Sequence, residues 1–128
     1  MNAKDFRIGN LINYKMVDKF DERKEWLEIS EIDYDDLRIF GIKNEMNQDY
    51  QLIPLTEDWL GKFGFVKIDH HRFKIQPSQF GWYYTYSIHD NAFRMYVEDS
   101  VLCLNTIFNV HEIQNLYFTL TGAELVVS

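Results

Sequence analysis

The sequence predicts an α+β fold: a small, strongly bent N-terminal sheet or SH3-like barrel, a short connecting helix, and an antiparallel meander covered by a C-terminal helix. Three observations carry this expectation. Short β-rich runs separated by polar turn residues fill both halves of the chain. A helix-start signal divides them, in "IPLTEDWLGKFGF" (53–65). The stretch "NVHEIQNLYFTLTGAEL" (109–125) then has helical start and stop signals around an apolar stripe.

In chain order, "FRIGNLINYK" (6–15) reads as a strand after a short arm, and "MVDKFDERK" (16–24) as a charged loop. "EWLEISEID" (25–33) and "LRIFGIK" (37–43) are β-rich runs joined at "YDD", where aspartates favour a turn. "NEMNQD" is a polar loop. "YQLIPL" (50–55) is a short strand whose Pro54 suits a sheet edge or a strand end.

Thr56 is the N-cap candidate of the connecting helix, with Glu57 and Asp58 at its positive end. Leu55 and Leu60 form a hydrophobic staple, and Gly64 ends the helix. The runs "FVKI", "RFKI", "GWYYTYSIH", "FRMYVE" and "VLCLN" follow, with "DHH", "QPSQF", "HDNA" and "EDS" between them. That spacing predicts the meander. In the closing helix, Asn109 and Glu112 make an Asn version of the capping box, and Gly122 supplies the left-handed stop. Val110, Ile113, Leu116, Tyr117 and Leu120 form its stripe. A helix of about three turns is not stable alone in water, so this face is expected to pack on the meander.

A length of 128 residues fits a single domain, 1–128, with two tightly joined lobes, 1–55 and 56–128, as the alternative division. With 46% hydrophobic and 16% aromatic residues the chain can build a core. It has no apolar run of membrane-spanning length and no secretory h-region, so a cytoplasmic protein without membrane contact is expected. The one cysteine, Cys103, lies in the apolar run "SVLCL" and is expected to be buried and inert.

A formal charge of −7 argues against general binding to nucleic-acid phosphates. Residues 18–36 hold nine carboxylates against Lys19, Arg23 and Lys24. Asp21, Glu22, Glu25, Glu28, Glu31, Asp33, Asp35 and Asp36 are therefore the candidate surface for a partner of opposite charge, beside the alternative of a merely solvated face. The second candidate is an aromatic sheet face for single-stranded RNA or DNA. It would use Trp82, Tyr84 and Tyr86 for stacking, with Arg72, Lys74 and Arg94 for phosphates.

Catalytic punctuation is sparse. The sequence has no Gly-rich phosphate loop, GxSxG, HExxH or CxxC. "DHH" (69–71) places adjacent histidines in a turn without ligand geometry. "IHD" (88–90) offers a base and a carboxylate with no nucleophile to assign. The expectation is a non-enzymatic protein with no catalytic residues, cofactor or metal, an enzyme of unrecognised type being the alternative.

"RIGNLINY", "IPLTEDWLGKFGF" and "VHEIQNLYFTLTGAEL", taken together, resemble a family of small proteins from Bacteroidota genomes, often encoded in prophages and other mobile elements. The resemblance covers both ends and the centre of the chain and carries over no catalytic residues. It implies a bacterial or phage intracellular protein. Small acidic proteins of that origin often act by occupying a partner. The implied partner is a host protein with a basic surface, such as a CRISPR nuclease inhibited in the anti-CRISPR manner.

Overall fold

The computed structural model describes residues 6–17, 20, 23–32, 50–77 and 81–127. The fold is α+β; the described residues form two antiparallel sheets, a short helix and a longer C-terminal helix. The expected strand "LRIFGIK" lies outside the described residues. Two compact units emerge, Met1–Ile53 with Asn109–Asn115, and Pro54–Phe108 with Leu116–Ser128.

In the first unit, strands β1 (Leu11–Val17), β2 (Glu25–Glu31) and β3 (Tyr50–Gln51) form a three-stranded sheet in the order β2-β1-β3. The expected strand 6–15 starts late because "RIGN" is a turn. Asn10 N–H donates to the Arg7 carbonyl at 3.0 Å, and Gly9 takes φ 94°, which a side chain disfavours. The Asn10 side-chain oxygen accepts Arg7 N–H at 2.6 Å and closes the turn from the other side. Backbone bonds Gly9 N–H to Ile32 O (2.9 Å) and Ile32 N–H to Asn10 O (2.8 Å) tie the turn to the end of β2.

Helix α2 (Val110–Thr121) contributes its first turns to this unit. The Glu112 carboxylate accepts the Asn109 backbone N–H at 3.1 Å and its side-chain N–H at 2.8 Å, the reach-back half of the capping box. Gln114 Oε1 then accepts Leu11 N–H at 2.9 Å. Asn115 Oδ1 accepts Asn10 Nδ2 at 2.7 Å and Arg7 Nε at 3.0 Å. Among the described residues, Phe6, Ile12, Ile32, Ile53, Val110 and Ile113 are the buried apolar residues of this unit, with the Phe6 ring stacked on His111 at 4.5 Å.

In the second unit, α1 (Glu57–Lys62) starts at Thr56, whose hydroxyl accepts Trp59 N–H at 3.4 Å. Trp59 and Leu60 are its buried residues, and Gly64 at φ 90° ends it. Strands β4 (Val66–Lys67), β5 (Arg72–Ile75), β6 (Tyr83–Ser87), β7 (Ala92–Val97) and β8 (Ser100–Thr106) follow as a meander with neighbours in sequence order. Phe73, Tyr84, Tyr86 and Phe93 are buried on one face, where Tyr84 meets Tyr117 of α2 edge-on at 6.3 Å. The Tyr86 hydroxyl donates to the Ile107 carbonyl at 2.7 Å, and Ile107 N–H donates to Asn91 O at 2.8 Å. These bonds fix the exit from β8. The helix stops as expected at Gly122, φ 75°, whose N–H donates to Phe118 O at 2.8 Å.

Two packing expectations need correction. Leu116 and Leu120 are half-buried, and the deepest positions of the helix are Val110 and Ile113. Cys103 is exposed because β8 is the last strand of its sheet, so the apolar run around it is not core.

Ile113→Ala removes a side chain with no exposed surface and should lower stability by about 2–4 kcal/mol in urea unfolding. Gln114→Ala leaves Leu11 N–H without its acceptor and should cost about 1–3 kcal/mol. Unchanged midpoints for both variants would contradict the packing described.

Candidate functional site

β2 carries the described part of the acidic surface. Its seven residues are all exposed, and they run Glu-Trp-Leu-Glu-Ile-Ser-Glu. Alternation along the strand puts Glu25, Leu27, Ile29 and Glu31 on one face and Trp26, Glu28 and Ser30 on the other. Each face thus mixes carboxylates with large apolar groups. Trp26, Leu27 and Ile29 are 44%, 47% and 53% exposed.

The β1 register explains how the strand is held. Leu27 lies opposite Lys15, Trp26 opposite Met16 and Glu28 opposite Tyr14. Lys15 Nζ reaches Glu25 at 3.3 Å, and the Trp26 indole N–H donates to Glu28 Oε1 at 3.0 Å. That bond aligns the ring with the carboxylate. A shallow cleft of ≈ 280 Å³ lies here, lined by Lys15, Glu25, Trp26, Leu27 and Gln51. It has the dimensions of a recess for one protruding side chain rather than of a pocket that engulfs a cofactor.

Of the candidate acidic residues, Glu25, Glu28 and Glu31 lie on one exposed strand, Glu25 and Glu31 on one face and Glu28 on the other. Asp21, Glu22, Asp33, Asp35 and Asp36 lie outside the described residues. The apolar partners of the glutamates were the missed component. "EWLEISE" places a carboxylate on both faces of the strand, a pattern incompatible with either face being buried, and that was the available signal.

The alternative nucleic-acid surface requires correction. Tyr84 and Tyr86 are each 1% exposed and belong to the core. Trp82 is half-buried and donates its indole N–H to the Tyr84 hydroxyl at 3.0 Å. The physical reason is strand parity. Arg72 and Lys74 pair with Ser87 and Thr85, and Arg94 pairs with Thr85, so the three cations share the face of Tyr83, Thr85 and Ser87. The proposed aromatics point the other way.

On the cationic face, Tyr83 and Tyr96 stack at 5.0 Å and 4°, and Lys74 Nζ sits 4.2 Å from the Tyr83 centroid. Both faces of the Tyr83 ring are therefore occupied. Arg72 binds Asp69 (2.6 Å) and Arg94 binds Asp90 through both carboxylate oxygens. Three cations against two carboxylates leave a single net positive charge, a poor phosphate footprint in an acidic chain.

Asp69 is held down to about 2 by the backbone N–H of His71 and then by the Arg72 guanidinium. Asp90 is lowered to about 2, chiefly by Arg94, with the Ala92 N–H contributing. Both carboxylates remain ionised through the range where a general base would need to exchange protons. Histidines 71 and 89 come within 5.5 Å, ring to ring, and both are exposed. Among the described residues no three His, Cys, Asp or Glu side chains converge in a metal-holding group. No helix among them is long and apolar enough to cross a membrane. Comparison with family models, curated proteins and solved structures finds no match.

The two lowered carboxylates set an acid limb. Each has a folded pKa below its ordinary 3.8, so its contribution is present above that value and is lost as pH falls toward about 2. Asp90→Asn should flatten the loss of thermal midpoint across that window, leaving the midpoint's pH dependence near neutrality unchanged. Melting curves of the two proteins from neutral to strongly acidic pH provide the check.

Proposed function

We propose that this protein is a non-enzymatic binding protein that acts by occupying a partner through the β2 surface. The observation that carries this is the exposure of Trp26, Leu27 and Ile29 between Glu25, Glu28 and Glu31 on a single strand. Large exposed apolar side chains rimmed by charge mark interaction surfaces, and tryptophan is enriched among the residues that dominate binding energy. The carboxylates would steer a basic surface into register, and the apolar side chains would supply contact once water is expelled.

The finer form of the proposal follows from the sequence resemblance. The partner is a host protein with a basic surface, and the strongest candidate is the nucleic-acid channel of a CRISPR or related nuclease. In that setting Glu25, Glu28 and Glu31 stand where phosphates would lie, as a protein of phage or mobile-element origin would use them.

The experiment is a pull-down from native host lysate with and without nuclease treatment, followed by binding kinetics with the captured protein. Capture should survive nuclease treatment. The triple variant Glu25→Lys, Glu28→Lys, Glu31→Lys should slow association by about tenfold or more at low salt and weaken its salt dependence. Trp26→Ala should instead raise the dissociation rate. Kinetics indistinguishable from those of the unmodified protein in both variants would remove β2 from the interface, and capture abolished by nuclease would favour nucleic acid as the ligand.

A further inference from the structure

The two faces of β2 differ in how their charges are met. On the face of Glu25, Leu27, Ile29 and Glu31, Lys15 stands opposite Leu27 and reaches Glu25 at 3.3 Å. A cation arriving on that face meets a cation. On the other face, Trp26 and Glu28 lie opposite Met16 and Tyr14, and the β1–β2 ladder places no Lys or Arg there. Lys24 precedes the ladder. Among the described residues, Lys and Arg pair with Glu25, Glu57, Asp69 and Asp90, and none pairs with Glu28. The Trp26 ring is distinctive in the same way. Elsewhere the chain lays its own lysines on its rings: Lys62 on Trp59 at 4.6 Å, Lys74 on Tyr83 at 4.2 Å and Lys67 on Phe73 at 5.9 Å. Trp26, 44% exposed, has no such cation among the described residues.

We infer that Trp26 and Glu28 together form a seat for an arginine side chain of a protein partner, an inference that rests on the reading of β2 as the partner surface. The indole N–H donates to Glu28 Oε1 at 3.0 Å, so the edge of the ring and the carboxylate are already joined. That bond holds both side chains in place before a partner arrives, which lowers the cost of ordering them on binding. The carboxylate keeps further lone pairs for donors from outside. A ligand that uses both groups must lay a cation against the ring and donate to an anion at the ring's rim. Guanidinium is planar, weakly hydrated and carries five N–H donors, so one group meets both demands. A lysine ammonium is a compact, strongly hydrated charge and gives up more solvation for the same contact. Glu25 and Glu31, on the opposite face, contribute by steering, while Trp26 and Glu28 select the side chain.

Two capped peptides of equal length and charge are the probes, one alternating glycine with arginine and the other glycine with lysine. Affinity for the full chain is read at low salt from the fluorescence anisotropy of the labelled peptides, and the site from the indole N–H cross-peak of Trp26 in a proton–nitrogen correlation spectrum. The arginine peptide should bind about two- to fivefold tighter and move that cross-peak further. Trp26→Leu keeps an apolar side chain but removes the ring, and should bring the two peptides to equal affinity. Glu28→Gln keeps an acceptor for the indole N–H but removes the charge, and should weaken both peptides more than Glu25→Gln does. All three positions are exposed, and unchanged melting midpoints show that the variants fold. Equal affinities in the unmodified protein, an arginine preference that survives Trp26→Leu, or a loss with Glu25→Gln as large as that with Glu28→Gln would each overturn the inference. Equal affinities with the Trp26 cross-peak still moving would remove the arginine seat and leave β2 as the partner surface. A cross-peak unmoved by either peptide would count against both.

Discussion

The first unit depends on two adjacent amide side chains of α2. Gln114 and Asn115 receive hydrogen bonds from Leu11 N–H, Asn10 Nδ2 and Arg7 Nε, and Gln114 Nε2 also lies 3.4 Å from the Gly9 carbonyl. Each bond alone is modest, on the order of 1 kcal/mol net. Their weight lies in what they satisfy. Asn10 and Gln114 are buried polar residues, and a buried amide without partners is costly. The turn at Arg7–Asn10 can therefore close, and β1 can start at Leu11, where α2 presents the Gln-Asn pair. The backbone bonds from Gly9 and Asn10 to Ile32 extend the same constraint to the end of β2.

Much of the architecture was legible in the sequence, and the reasons are local. The helix boundaries at Asn109 and Gly122, the cap at Thr56 and the five runs of the meander all rest on nearest-neighbour chemistry: an amide, a hydroxyl, a left-handed glycine, alternation at period two. What failed required knowing a strand's neighbours. Alternation in "WYYTYSI" separates Tyr84 and Tyr86 from Tyr83 correctly but does not say which set is inside. The decision comes from Phe73 and Phe93, which pair with Tyr86 across the sheet and carry it into the core. Cys103 is the same case, because an apolar run is core in a central strand and surface in a terminal one. "RIGN" looks like the start of the strand run "FRIGNLINYK" when taken alone. The deciding contacts, with Gln114 and Asn115, are more than a hundred positions away along the chain.

β2 and β8 are both seven residues long and both expose their side chains, yet their chemistry differs. β2 intersperses carboxylates with Trp26, Leu27 and Ile29. β8 has no charged side chain. The cationic face of the meander belongs to neither class, since Asp69, Asp90 and the Tyr83–Tyr96 stack already use its charges and rings.

Assignment of Asn109–Asn115 to the unit of the first fifty-three residues has a consequence for synthesis. The bonds from Arg7 and Asn10 to Asn115 span 108 and 105 positions. A ribosome releases the N-terminal strands early, yet the groups that complete them are among the last to emerge. The intervening Pro54–Phe108 segment contains a meander built from neighbouring strands, which needs no distant partner to begin pairing. The half made first is therefore the half finished last. Until then Ile12, Ile32 and Arg7 wait without the helix, exposed to proteases and chaperones. A stop codon anywhere before Asn115 would damage the beginning of the protein as surely as its end.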